Sequence, residues 1–197
     1  FKFFNVNPTF NYSDVWAFRT FRRSYDAETN QIVRDTVNGF ERGGSYSLNT
    51  AMTTKLYGMY QFRGGPVRAI RHVMTPQVSF NYQPEITTGQ RNYIDANGRE
   101  VEYSIFDGGV YGSPSRRASG RVGFNLLNNL EMKVRSKSDS SGLKKVTIFE
   151  NLGFSTNYDL NADSLNWAPI SMNGRTRIGQ FFTLQFNGTF DTYGLDS

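Results

Sequence analysis

In the stretch GRVGFNLLNNLEMKVRS, residues 120–136, every second position from Val122 is mostly apolar: Val122, Phe124, Leu126, Leu130, Met132 and Val134. Between them stand Arg121, Asn125, Asn129, Glu131, Lys133 and Arg135. A period of two sends successive side chains to opposite sides of an extended chain, so this is a strand with one greasy and one charged face. It is far longer than the five or six residues usual in a soluble sheet. The greasy face must be pressed against something along its whole length, either a protein core or lipid.

Six further stretches alternate in the same way. Residues 1–12 line up Phe4, Val6, Pro8, Phe10 and Tyr12; residues 44–63 line up Tyr46, Leu48, Met52, Leu56, Tyr60 and Phe62. Residues 71–84 align Met74, Val78, Phe80 and Tyr82; within 146–160 stand Leu152, Phe154, Tyr158 and Leu160. The last two are 167–178, with Ile170, Met172 and Ile178, and 181–193, with Phe182, Leu184, Phe186 and Phe190. No long stretch repeats apolar residues at helical spacing. The connections alternate in length: 13–43 and 85–119 read as long loops, while 64–70, 136–142, 161–166 and 179–180 are short. Within the second long loop Asn97-Gly98 signals a hairpin with a type I′ turn.

Charged residues choose one side. Lys55, Arg121, Glu131, Lys133, Arg135, Asp159, Arg175, Arg177 and Asp191 all fall opposite the apolar set. A tilted membrane strand needs about 9–11 residues, and ten residues at about 45° rise roughly 23 Å, close to the band of about 25 Å that must be covered. Aromatics collect near strand ends: Tyr57, Tyr60 and Phe62; Phe80 and Tyr82; Tyr158 and Trp167; Phe181 and Phe182. Girdles at the two membrane interfaces give this distribution. The expected fold is all-β, an antiparallel up-and-down transmembrane β-barrel. A bacterial barrel closes with an even number of strands, eight or more. Seven strands therefore predict a segment of a larger barrel, unless 92–106 supplies another.

Composition agrees with this reading. A mean hydropathy of −0.53 is compatible with a barrel, which hides its apolar half by alternation. No apolar run is long enough for a transmembrane helix. There is no cysteine among the 197 residues, which excludes disulfides and Cys-based zinc sites. The net charge of +5 suits nucleic acid or phosphorylated lipid alike. The opening FKFFNVNPTF carries no leader, and residues 1–197 are expected to be one portion of a barrel domain without signal peptide or periplasmic jelly roll.

Chemistry-bearing patterns are few. His72 is the only histidine. A Ser-His pair with Ser79 needs hydrogen-bond reach, and the two have opposite parity, so they point to opposite faces of one strand. DANGRE, 95–100, lacks the ligand series of a calcium loop. GGVYGSPSRRASG, 108–120, follows no βα unit and reads as a loop over the barrel mouth rather than a phosphate cradle. Pro8, Pro76 and Pro169 interrupt strands and mark edges, starts, bulges or places of weakened pairing.

Three segments, RHVMTPQVSFNYQPE (71–85), NNLEMKVRSKSDSSGLKKV (128–146) and LGFSTNYDLNADSLNWAPISMNGRT (152–176), resemble the LptD-type lipopolysaccharide-assembly barrels, most closely their Bacteroidetes version. The likeness runs from about Arg71 to Asp191. It is carried by Thr75, Pro76, Phe80, Tyr82 and Pro84 and by the ADSLNW turn at 162–167. It implies the outer membrane of a Gram-negative bacterium, a barrel whose lumen is plugged by an LptE-like lipoprotein, and delivery of lipopolysaccharide by periplasmic bridge proteins. The lipid then leaves sideways between the first and last strands. The cysteines that staple well-studied members are missing here.

The expected function is therefore insertion of lipopolysaccharide into the outer leaflet, with no enzyme activity, cofactor, metal or nucleic-acid partner. Lys55, Arg121, Lys133, Arg135, Arg175 and Arg177 are expected to face the lumen and contact lipid phosphate or the plug. The alternatives are another large outer-membrane pore or transporter, a soluble β-sandwich binding domain, and an outer-membrane hydrolase that would depend on His72.

Overall fold

The computed structural model of the chain describes residues 3–137, 142–179 and 182–194. Among the described residues there is no helix. The ordered elements are strands β1 (Asn5–Asp26), β2 (Gln31–Thr53), β3 (Leu56–Gln61), β4 (Val67–Gln83), β5 (Gln90–Ile94), β6 (Glu100–Ser104), β7 (Ser119–Arg135), β8 (Leu143–Asp159), β9 (Ile170–Ile178) and β10 (Phe182–Phe190). The main sheet is antiparallel, with order β1-β2-β4-β7-β8-β9-β10; β3 also pairs with β4, and β5 and β6 form a separate hairpin. It is an open meander, not a closed ring.

All seven expected strands are present, the second of them as β2 plus β3. These two lie on one register line along β4: the Thr54 amide donates to the Pro76 carbonyl at 3.2 Å, and Leu56 then stands opposite Met74. The interruption at Thr54–Lys55 falls where Pro76 has no N–H to return, so the proline explains the break. Pro8 lies in the edge strand β1, and Pro169 immediately precedes β9. Both are positions where a missing donor is tolerated. The expected turns at 136–142 and 179–180, the start of the first strand and Phe181 fall partly or wholly outside the described residues.

The chain divides into two compact units. The first comprises Phe1–Thr9, Asn49–Asn81 and Gly120–Ser197. It has no apolar core of its own, since the buried residues among those described are glycines, namely Gly120, Gly153 and Gly174. Its stability rests on the hydrogen-bonded ladder and on side-chain pairs across it.

The second unit comprises Phe10–Leu48 and Tyr82–Ser119. It corrects one expectation: residues 13–43 are not a loop but the long arms of the β1–β2 hairpin. The turn at 27–30 is pinned by Asp26, whose carboxylate accepts from the Glu28 amide and the Thr29 hydroxyl, each at 2.9 Å. Here Val15 and Ala17 pack with Tyr93 against buried Tyr103, Ile105 and Phe106, while Trp16 and Phe18 on the other side remain exposed. Both sides are thus partly apolar and both carry charges, which erases the simple alternation. The Phe21 amide donates to the Ile105 carbonyl at 2.9 Å. Asp107 gathers the region, taking Arg23 at 3.5 Å through its carboxylate and Arg34 at 3.0 Å through its carbonyl.

The β5–β6 hairpin exists where Asn97-Gly98 places it, but as its own two-stranded sheet rather than an eighth strand. Its turn also differs from expectation. A type I′ turn requires positive φ at both central residues, whereas Gly98 (φ 75°) is left-handed and Asn97 is not. The Asp95 carboxylate accepts from the amides of Asn97 and Arg99 at 2.8 and 2.9 Å. That side-chain-supported turn outweighs the dipeptide preference.

Candidate functional site

The informative surface of the first unit is the pair of faces of its sheet. Register assigns each residue to one of them. Along β7 and β8, Val122 stands opposite Tyr158, Phe124 opposite Thr156, Leu126 opposite Phe154, Leu130 opposite Phe149 and Met132 opposite Val146. Along β9 and β10 the same side carries Ile178 with Phe182, Thr176 with Leu184, Gly174 with Phe186 and Ile170 with Phe190. The other side is polar: Arg121 with Asp159, Asn125 with Ser155, Arg175 with Gln185, Arg177 with Thr183, Asn173 with Asn187 and Ser171 with Thr189.

The apolar face is open. Phe182, Ile178, Leu184 and Phe190 are all at least half exposed, and Phe124 is 38 % exposed. Aromatics gather near one end of it, with Trp167 between Phe124 (5.6 Å) and Tyr158 (5.1 Å, edge-on). Tyr57 departs from the expected girdle: it pairs with Val73, on the side that also holds Arg71, whereas Tyr60 lies with Ile70.

A double irregularity in β8 keeps Lys145 and Glu150 on the polar side. The register shifts between Asn128 and Leu130 and again between Leu130 and Glu131, so β8 carries two extra residues against β7. Two bulges restore the alternation that a single one would invert. Asn129 spans the irregular segment, its amide donating to the carbonyls of Phe149 and Glu150 at 3.3 and 3.0 Å. Strict alternation from Leu152 would put Glu150 on the apolar face. The bulge turns it to the polar one, where Arg175 (3.1 Å) and Arg177 (3.3 Å) share its carboxylate.

The expected site residues are distributed as follows. Arg121, Lys133 and Arg135 share the polar side of β7, and Arg175 and Arg177 share that of β9. Arg121 is paired with Asp159 at 3.4 Å. Lys133 stands directly opposite Lys145. Arg135 ends β7, its amide donating to the Pro66 carbonyl at 2.8 Å. Lys55 lies outside the strands, in the break between β2 and β3, next to Thr54, whose hydroxyl donates to the Phe3 carbonyl at 2.6 Å. The structure therefore brings Arg175 and Arg177 together, and separates Arg121 from Lys133 by the length of β7.

Sequence reasoning missed the cations that join Lys133. A hollow of about 700 Å³ is lined by Arg63, Arg68, Arg71, Lys133 and Lys145, with Glu131 as the carboxylate and Met59, Phe62 and Leu143 as apolar lining. Glu131 is shared by Lys145 at 2.8 Å and Arg71 at 3.8 Å. Arg63 lies in the turn before β4, Arg68 at the start of β4 and Lys145 on β8, so only the sheet's register collects them.

His72 and Ser79 lie on opposite faces, as their parity requires. The His72 Nε2 is 3.0 Å from the Asn128 side-chain Oδ1, and the Asn128 side-chain amide in turn donates to the Leu152 carbonyl at 3.1 Å. Ser79 sits across the other face, where its hydroxyl occupies the space over Gly123. A nucleophile–base pair needs mutual hydrogen-bond reach, which this arrangement does not provide. Among the described residues no group of three or more His, Asp or Glu side chains is placed to hold a metal.

Residues 1–193 match the family described as LptD protein. No curated protein and no solved structure matches the chain.

Proposed function

Because the chain belongs to the LptD protein family, which serves lipopolysaccharide transport and is not an enzyme family, we propose that it is part of the wall of an outer-membrane barrel that inserts lipopolysaccharide into the outer leaflet. The observation that carries this reading is the two-faced sheet of the first unit. One side is mostly apolar, with Ile178, Phe182, Leu184 and Phe190 at least half exposed among the described residues, and the other is mostly ions and amides. A soluble sheet of this kind would leave its greasy side in water, which costs about 25 cal/mol for each Å² that stays uncovered. Hydrocarbon on that side and a wet lumen on the other satisfy both faces.

In this reading residues 1–197 form one arc of the barrel domain. Lys55, Arg121, Lys133, Arg135, Arg175 and Arg177 look into the lumen, toward the phosphorylated head of the glycolipid or an LptE-like plug lipoprotein. The outer edges of β1 and β10, which pair with no further strand among the described residues, meet additional strands, since unpaired backbone donors and acceptors are not tolerated in lipid. Periplasmic bridge proteins supply the lipid, and the chain's own groups make and break no covalent bond.

The test is depletion of the full-length protein in its Gram-negative host. Surface lipopolysaccharide is expected to fall, and a lipoprotein to co-purify with the barrel. Normal surface lipopolysaccharide after depletion would overturn the reading in favour of a pore or transporter of other cargo.

A further inference from the structure

We infer that the hollow at the short-turn end of β4, β7 and β8 is a binding site for a phosphate-headed amphiphile. The inference rests on the lipopolysaccharide reading only for the biological identity of that amphiphile; the site itself is argued from charge and geometry.

Three features of the hollow point to an anion. First, its charges do not balance: Arg63, Arg68, Arg71, Lys133 and Lys145 face a single carboxylate, Glu131. The other cation clusters on the polar side are compensated more fully, with Arg121 paired to Asp159 and Arg175 and Arg177 sharing Glu150. Secondly, Lys133 and Lys145 are cross-strand partners in register. Like charges directly opposite one another destabilise a sheet. Glu131 relieves Lys145, at 2.8 Å, whereas Lys133 has no ion pair among the described residues. An anion seated between the two lysines removes that repulsion. Thirdly, the charged heads are reachable, with Arg71 and Lys145 side chains 50 % and 60 % exposed.

The lining also says what is attached to the anion. Met59, Phe62 and Leu143 border the cationic floor. An apolar border beside a cluster of guanidinium and ammonium groups fits a ligand with an ionic head and a greasy body. Arg68 is anchored by donating to the Arg63 carbonyl at 2.7 Å, which holds the turn of the hollow in shape. Arginine forks and point-charge lysines together suit a phosphomonoester with several free oxygens.

The experiment is calorimetric titration of the full-length protein in detergent with dihexanoyl phosphatidic acid, dihexanoyl phosphatidylcholine and inorganic pyrophosphate. The double variant Lys133→Gln/Lys145→Gln is expected to lose phosphatidic acid affinity by about tenfold or more, as removal of charge-assisted phosphate contacts requires. Lys144→Gln, which removes the same charge from the opposite face beside Val134, is expected to leave affinity unchanged. Phosphatidic acid is expected to bind more tightly than either comparison ligand. Equal loss in Lys144→Gln, or no loss in the double variant, overturns the site. Equal affinity for pyrophosphate overturns the amphiphile and leaves a bare phosphate site. A failed site with surface lipopolysaccharide still dependent on the protein leaves the transport reading intact, so the two fail separately.

Discussion

The ring of Phe186 lies across Gly174, its register partner on β9. A Cβ at Gly174 would overlap the ring edge, and the ring also meets Phe149 edge-on at 6.3 Å. An aromatic thus covers backbone that glycine leaves bare, on the apolar side of the sheet. Gly174→Ala is expected to push the ring off Phe149 and cost about 1 kcal/mol, the value of one aromatic pair. In urea unfolding from detergent, Gly174→Ala and Phe186→Ala should then be non-additive. Additive effects would mean that the ring and the glycine act independently.

Lipid contact should alternate along β7. The chain has no cysteine, so single cysteines label cleanly. Nitroxides at Phe124, Leu126 and Met132 are expected to relax with lipid-soluble oxygen, and those at Asn125 and Lys133 with a water-soluble nickel chelate. Leu126→Arg is expected to cost about 2–4 kcal/mol if it sits near the midplane, and Asn125→Arg very little. Protection of Phe124, Leu126 and Met132 from lipid-borne oxygen would end the membrane reading.

Removal of one bulge residue in β8 should be far worse than removal of the charge it redirects. Glu150→Gln unpairs Arg175 and Arg177, both about half exposed, and is expected to cost less than about 1 kcal/mol. Deletion of Ile148 shifts part of β8 by one residue, which turns Lys145 and its neighbours to the opposite face. The assembled, protease-resistant fraction in the outer membrane should collapse for the deletion and persist for Glu150→Gln.

The β1–β2 turn should loosen in acid. The amide of Glu28 first, and then the Thr29 hydroxyl, hold the Asp26 carboxyl below its ordinary value of 3.8. A depressed carboxylate pKa stabilises the folded turn at pH above the ordinary value, and that stabilisation is lost as pH falls through the lower, folded value. Amide exchange at Glu28 should therefore speed up relative to a distant reference amide below about pH 4. Asp26→Asn should remove this pH dependence, and an unchanged profile in that variant would assign the effect to another group.

The alternation that announces the sheet was legible because each strand of the first unit has two chemically different sides, so Phe124 and Lys133 advertise their faces without any partner in view. Residues 13–43 hid their strands because Val15 and Ala17 pack inward while Trp16 and Phe18 are apolar outward. Glu150 was illegible for another reason: only the register between β7 and β8 shows that the strand slips and carries this carboxylate to the arginines. Of the cationic hollow, sequence parity found Lys133. Arg63, Arg68, Arg71 and Lys145 join it through pairings made far apart in the chain.

Counting β2 and β3 as one line, the meander has seven members among the described residues, each antiparallel to the next. The two outermost members, β1 and β10, consequently run in the same direction. Zipping one to the other would create a parallel seam, so a wholly antiparallel ring must interpose an odd number of additional strands between them.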